Sequence, residues 1–185
     1  LFPYTTLFRS SEEHRVGKEV LGIDQDDAAI EIASKRLERF GSRFTATKGN
    51  FSDVARIVKS AGFGPPDAII ADLGVSSLQF DDASRGFSFR FDAPLDMRMD
   101  PASGGQTAAE LLLETSETDI ANIIYQYGEE RFSRRIARRI VERNESGDPV
   151  STTRQLAELV ERSVRRSPKD KIHPATRTFQ ALRIA

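Results

Sequence analysis

Apolar and polar positions follow two different rhythms along this chain. In the first part, short apolar runs alternate with segments whose apolar residues recur every three or four positions. Val20-Leu21-Gly22-Ile23-Asp24 is an apolar run ending in a carboxylate, the pattern of a buried parallel strand. Asp26 suits the cap of a helix over 27–40 that Gly41 would end, with Ile30, Ala33, Leu37 and Phe40 facing a sheet. Residues 43–47 predict the next strand and 52–61 a second helix closed by Gly62. Pro65-Pro66 breaks the chain, and 67–72 form a third apolar strand, again ending in a carboxylate. Strand, helix, strand, helix, strand predicts right-handed crossovers and a parallel sheet. Ligands of such sheets bind outside the carboxyl ends of the strands, where Asp24 and Asp72 stand.

The second rhythm is helical only. Residues 74–105 are a long loop rich in Gly, Ser, Asp and Arg, and a loop of this length is functional or disordered; its Phe, Met and Arg content favours function. Over 106–166, Thr107 with Glu110 has capping-box spacing and Ser116 with Asp119 a looser version of it. Gly128 ends the second helix of this block. Residues 132–144 are an Arg-rich helix, Gly147-Asp148-Pro149 is a turn, and Thr152 with Gln155 opens a helix running to about 165. Residues 167–171 read as a polar linker, and a last helix spans 175–184. The expected organisation is a leader foreign to the domain over 1–19, where no period is visible, then a partial α/β core over 20–105. A helical insertion over 106–171 and a return to the core over 172–185 follow. Three strands do not complete a doubly wound sheet, so further strands are expected beyond this sequence.

Composition narrows the picture. Of 185 residues, 38% are hydrophobic and 30% charged, which fits a soluble globular protein. The chain has no Cys, which excludes a disulfide framework and a Cys-based zinc site. No apolar run is long enough for a membrane span, and no signal-peptide pattern opens the chain, so a cytoplasmic home fits. The net charge of −1 is unevenly spread. Residues 1–127 carry 13 basic and 20 acidic side chains, and residues 128–172 carry 12 and 8. The basic back half suits either a polyanion partner or solvated helix faces.

Five stretches can carry chemistry. Asp24 can accept both hydroxyls of a ribose, whether of a nicotinamide, a flavin or an S-adenosyl cofactor, and it equally suits a helix cap. Phe51, in Gly49-Asn50-Phe51-Ser52, can press on an adenine face or fill a strand-to-helix corner. Asp72-Leu73-Gly74-Val75-Ser76-Ser77-Leu78-Gln79 delivers a carboxylate into a small-residue turn that a base can approach closely, or forms a purely structural turn. Arg85, Arg90 and Arg98 alternate with Phe87, Phe89, Met97 and Met99, a mix suited to phosphate contact and base stacking, or to a loop packed on itself. Arg131, Arg134, Arg135, Arg138, Arg139 and Arg143 cover one broad helix face while Phe132, Ile136, Ala137 and Ile140 point elsewhere. That density favours phosphate. His173 before Pro174 reads as structural, and no His and carboxylate set has metal-ligand spacing, so no metal is expected.

Several of these motifs, together with Pro94–Asp100, Tyr127-Gly128-Glu129-Glu130 and Ile172-His173-Pro174-Ala175-Thr176-Arg177-Thr178-Phe179-Gln180-Ala181-Leu182-Arg183, resemble the ribosomal small-subunit RNA methyltransferase H family, from Val20 to Ile184. The resemblance implies a Rossmann-like S-adenosylmethionine-dependent methyltransferase with a helical insertion. It implies methyl transfer to the N4 of a cytidine in 16S rRNA, in or out of the assembled small subunit, and no membrane partner; a homodimer is left open. By position it implies that Asp24, Phe51, Asp72 and Gln79 contact the cofactor. It makes Asp72, with the Ser76-Ser77 turn, the edge facing the reacting amine. The loop and helix patterns described above give Arg85, Arg90, Arg98, Arg134, Arg135, Arg138 and Arg139 as the candidate RNA contacts. A cytosine amine is a weak nucleophile, so an oxygen acceptor fixed on its N–H would return electron density to nitrogen as the methyl arrives.

Three departures from the family pattern stand out. Residues 1–19 replace the Gly-rich loop expected before the first matching strand. The sequence ends at Ala185, where the family continues. Leu78 stands where Pro is common. The chain therefore reads as a piece of a longer enzyme. A nicotinamide dehydrogenase would share Asp24 but not the Arg, Phe and Met loop. A non-catalytic RNA-binding protein would share the Arg-rich helix and ignore the cofactor.

Overall fold

The computed structural model describes residues 5–9, 19–72, 74–164 and 172–185. The chain forms two compact units, Leu1–Gly74 and Val75–Ala185. The sequence reading draws a division after residue 105. The contacts divide the chain after Gly74 instead, because the loop over 75–105 buries its own apolar side chains among the helices that follow it.

The first unit is a four-stranded sheet with helices. Its strands are β1 (Thr5–Arg9), β2 (Glu19–Asp24), β3 (Phe44–Lys48) and β4 (Ala68–Ala71), in the order β3-β2-β1-β4. β2 and β3 pair in parallel, as expected, with Asp24 opposite Lys48. Thr5–Arg9, inside the stretch read as a leader foreign to the domain, is a strand antiparallel to both β2 and β4. The sheet is therefore mixed rather than wholly parallel. Thr-Thr-Leu-Phe-Arg has the β-branched and aromatic content of a strand, although its five residues are too few to show a period. Residues 1–4 and 10–18 of the leader and the proposed linker over 167–171 lie outside the described residues, while Glu19 opens β2.

α1 (Asp27–Leu37) starts where Asp26 accepts the Ala28 N–H at 3.0 Å. It buries Ala29 and Ala33, with Ile30 and Leu37 half-buried beside them. Phe40 does not join that face. The helix tightens into a 3-10 segment over Glu38–Arg43, and the ring of Phe40 is exposed beneath the guanidinium groups of Arg39 and Arg43 at 4.9 and 5.7 Å. α2 (Val54–Ser60) supplies Ile57, which packs with Leu21 and Ile23 to make the small core of this unit. β4 is apolar but uncovered: Ile69 and Ile70 are 57% and 54% exposed.

The second unit holds the larger core. α3 (Ser77–Asp81) opens it, followed by the loop and by α4 (Ala108–Glu114), α5 (Glu117–Gly128), α6 (Ser133–Glu145), α7 (Thr153–Ser163) and α8 (Ala175–Ile184). Reciprocal capping boxes at Thr107/Glu110 and Thr152/Gln155 start α4 and α7, and Ser116 caps α5 through the Asp119 N–H. Ile120 and Ile124 of α5, Ile136 and Ile140 of α6, Leu156 and Val160 of α7 and Phe179 of α8 are fully buried together with Phe87 and Leu95 of the loop. Arg183 of α8 donates to Phe87 O at 3.0 Å and lies over the Phe80 ring.

Gly128 does mark the end of α5, but for a different reason than a left-handed cap. It is the last helical residue, and Glu129 takes the positive φ of 52°. A Cβ on Gly128 would sit 2.4 Å from Arg177 O, so only glycine lets α5 and α8 approach this closely. The Glu129 N–H then bonds Tyr125 O at 3.0 Å, the single bond of an αL ending, and the Glu130 N–H bonds Ile124 O at 3.4 Å as Glu130 turns inward. Among the described residues, no helix is long and apolar enough to cross a membrane.

Candidate functional site

In the first unit the predicted cofactor residues meet at one end of the sheet. Asp24 closes β2, and the Gly49 N–H bonds its carbonyl at 2.8 Å, so the loop leaving β3 starts against the end of β2. Asn50 binds the two loops together, with Nδ2 on Gln25 Oε1 at 3.1 Å, while its Oδ1 accepts the Ser52 N–H at 2.9 Å. That second bond starts the 3-10 turn over Phe51–Asp53, which presents Phe51 half in solvent (50% exposed). Lys48 pairs with Asp27 at 2.6 Å across the same two loops.

The Asp24 carboxylate is half-buried. Its Oδ1 accepts the Asp26 N–H at 2.8 Å, and among the described residues no side chain donates to it. Burial raises its pKa, the nearby Asp26 charge adds to the rise, and the backbone N–H groups of Asp26 and Gln25 oppose it. A carboxylate so placed gains from two hydroxyl donors. An exposed aromatic face stands on the neighbouring loop. The pair fits a ribose and its base, so an adenosine-bearing cofactor suits these residues.

Asp72 follows β4 and is exposed. Thr5 of β1 pairs with Ile23 on one side and with Ala71 on the other. Asp24 and Asp72 therefore stand at the same end of the sheet, two strand spacings or roughly 10 Å apart. Leu73 lies outside the described residues.

In the second unit, Gln79 is buried and used locally. Its Oε1 accepts the Ser76 N–H at 2.9 Å and its own N–H bonds Ser76 Oγ at 3.3 Å, a capping box for α3 that the reading of this motif missed although the Ser-x-x-Gln spacing signals it. Its amide also lies 3.6 Å from Met99 Sδ.

The seven arginines read as RNA contacts divide in two. Arg85 and Arg98 are committed to the loop itself. Arg85 Nη2 donates to the carbonyls of Arg98 and Met99 at 3.2 and 2.8 Å. Arg98 makes a two-pronged pair with Asp96, at 2.9 and 2.7 Å, and donates to Pro101 O and Gly105 O. Arg90 is exposed, 3.8 Å from Asp81. On α6, Ile136, Ala137 and Ile140 are buried while Arg134, Arg135 and Arg138 are exposed and Arg139 is half-exposed. Arg138 lies 3.8 Å from Glu117. Among the described residues no acid pairs with Arg134, Arg135 or Arg139.

The Arg98 hydrogen bonds hold the Asp96 carboxyl below the usual carboxylate range, against the opposing effect of burial. Its contribution to stability is thus fully present above the unfolded value, near pH 4, and is lost as pH falls through the depressed folded value. Acid unfolding of the unaltered chain followed by circular dichroism should include this loss as pH falls below about 4. Asp96→Asn should be less stable at neutral pH and flatter in that window.

His173 behaves as the sequence suggests, structurally. Its Nδ1 accepts the Ala175 N–H at 3.2 Å at the start of α8, and its ring packs on Phe89 at 4.7 Å. Among the described residues no group of His, Asp and Glu is arranged to hold a metal ion.

The sequence model of the MraW methylase family matches residues 11–185. Curated relatives agree with that match. The ribosomal RNA small subunit methyltransferase H of Trichlorobacter lovleyi is 52% identical over 167 residues, covering 90% of this chain and 53% of that protein. The protein of the same name from Nitrobacter hamburgensis is 52% identical over 165 residues, covering 89% of this chain and 48% of its own length. That of Geobacter sulfurreducens is 48% identical over 167 residues, covering 90% and 53%. The chain spans about half the length of the curated relatives it matches.

Proposed function

The chain belongs to the MraW methylase family, and from that premise we propose that it forms part of an enzyme that methylates the N4 amine of a cytidine in 16S rRNA with S-adenosylmethionine as donor. Membership implies the Rossmann-like fold class, with which the α/β unit agrees. The observation that carries the cofactor reading is the tied pair of loops holding the half-buried Asp24 carboxylate beside the exposed Phe51 ring. In this reading Asp24 accepts the ribose hydroxyls and Phe51 covers the adenine face. The cofactor supplies a methyl group already activated on a sulfonium. What remains for the protein is to hold the amine in line and to accept its N–H.

Asp72 is the proposed acceptor. It stands at the same end of the sheet as Asp24 and is exposed to an incoming base. A part for Gln79 in cofactor binding rests on the resemblance alone, since its amide serves the start of α3. The helical unit as an insertion in a longer methyltransferase fold, action in the cytoplasm, on free RNA or on the small subunit, and assembly as a homodimer belong to the same proposal.

RNA contact is assigned to Arg90 and to the exposed face of α6, with Arg85 and Arg98 shaping the loop. Each phosphate contact to a single strand adds about 0.7 to the slope of log affinity against log salt. Replacing Arg134, Arg135 and Arg139 together by Ala should flatten that slope by about 2, read from filter binding of a single-stranded rRNA fragment over a salt series. The reaction is tested by incubating the chain with small-subunit rRNA and methyl-labelled cofactor, then digesting the RNA for mass spectrometry. Label on N4-methylcytidine supports the proposal, and label on another nucleoside or atom refutes it.

A further inference from the structure

The first unit carries a basic cluster that neither the cofactor residues nor the exposed face of α6 accounts for. Over residues 1–127 acids outnumber bases by 20 to 13, yet the segment from Lys35 to Arg43 holds four bases and a single acid, Glu38. Lys35, Arg36, Arg39 and Arg43 are all exposed. Among the described residues no acid pairs with any of them.

The last turn of a helix favours a cation, which accounts for Lys35 and Arg36 at the end of α1. It does not account for Arg39 and Arg43. Gly41, with a φ of 55°, turns the chain between these two, and both guanidinium groups gather on the exposed ring of Phe40, at 4.9 and 5.7 Å from its centre. The two charges stand no further apart than the sum of those distances, about one Debye length at 0.1 M salt. Like charges held so close with no acid between them repel each other, and an anion that joins them removes that cost. A guanidinium laid on a ring keeps its in-plane N–H groups for such an anion.

The place of the cluster says which part of a ligand it meets. Arg43 precedes Phe44, which pairs with Val20 near the start of β2, whereas Lys48 pairs with Asp24 at its end. Five strand rises, roughly 16 Å, separate Arg43 from Lys48. The cluster is therefore at the opposite end of the sheet from Asp24 and Phe51. Its cations are spread along one segment and all stand in solvent, an arrangement that tracks a chain of phosphates rather than enclosing one small anion.

We propose that Lys35–Arg43 is a further RNA contact, taking backbone phosphates of the substrate away from the nucleotide that receives the methyl group, with Arg39 and Arg43 on the phosphates nearest Phe40. The proposal rests on RNA being the substrate. Phosphate contacts fix position and carry no sequence information.

The test is filter binding of a single-stranded rRNA fragment, and of the same nucleotides in scrambled order, over a salt series. Arg39→Gln together with Arg43→Gln should lower the slope of log affinity against log salt by about 1.4, equally for the two RNAs. Arg56→Gln is the charge control, because Arg56 is already paired with Asp53 at 2.6 Å in the same unit, and it should leave the slope as it is. A slope unchanged in the double variant, a loss confined to one of the RNAs, or as large a loss per charge from Arg56→Gln overturns the proposal. Should the double variant fail to fold, Lys35→Gln with Arg36→Gln decides on the same terms. S-adenosylmethionine is titrated into each protein, and its affinity should not change in the double variant. RNA bound by the unaltered chain with the slope unmoved by the variants overturns this inference alone. No RNA binding by the unaltered chain overturns the RNA reading and this inference with it. A slope lowered as expected without cofactor binding overturns the cofactor reading and leaves the RNA contact standing.

Discussion

Gly86→Ala should destabilise the helical unit by about 3 kcal/mol or more, the largest effect expected of any single methyl group added to this chain. Gly86 has a φ of 69°, a conformation that costs an alanine about 1 kcal/mol by itself. Its Cβ would meet Pro94 O at 2.4 Å and Asp96 N at 2.7 Å, both backbone atoms that no rotamer change can clear. That backbone is tied on every side. The Leu95 N–H bonds Ser151 O at 2.9 Å, the Ala108 N–H bonds Asp96 O at 2.7 Å, and the Met97 N–H bonds Arg85 O at 3.0 Å. Phe87 and Leu95, buried completely in the core, move with it. Thermal unfolding should show Tm lower by about 10 °C or more. An unchanged Tm would mean that the loop is not held as described.

Asp24→Ala should weaken S-adenosylmethionine binding by about a hundredfold. Two hydroxyl hydrogen bonds to a charged acceptor contribute about 1.5 kcal/mol or more each, and about 2.7 kcal/mol corresponds to that factor. The fold should tolerate the change. Removing Asp24 gives up its bond to the Asp26 N–H but also relieves the burial that raises its pKa. Stability unchanged to within about 1 kcal/mol, with affinity lost, would separate a binding role from a structural one.

What the sequence revealed, it revealed through short-range chemistry. Thr107 with Glu110 and Thr152 with Gln155 announce helix starts because both partners of a capping box lie within four residues. Ile136, Ala137 and Ile140 separate from the arginines of α6 because one helical period sorts them. Asp24 was legible as the carboxylate ending a strand and Phe51 as a residue just beyond one, although the Asn50–Gln25 bond that ties the two loops was not.

The features that escaped are long-range. Five residues of β1 carry no sign that they insert antiparallel between two parallel neighbours. Gly128 looks like a helix terminator, and only the approach of Arg177 explains it. Arg85 and Arg98 resemble RNA contacts in a motif, yet the carbonyls and the carboxylate that receive them are set by how the loop closes. Phe40 has the right period for the core, but the helix tightens from Glu38, two residues before it.

The central claim is that the end of the sheet carrying Asp24 and Phe51 is a cleft for S-adenosylmethionine. Calorimetric titration of S-adenosylmethionine, and separately of NADH, into this chain and into Asp24→Ala tests it most directly. The account predicts saturable binding of S-adenosylmethionine that the variant loses, with no heat from NADH. Binding of S-adenosylmethionine that survives unchanged in the variant, NADH bound in its place, or no binding of either would contradict it.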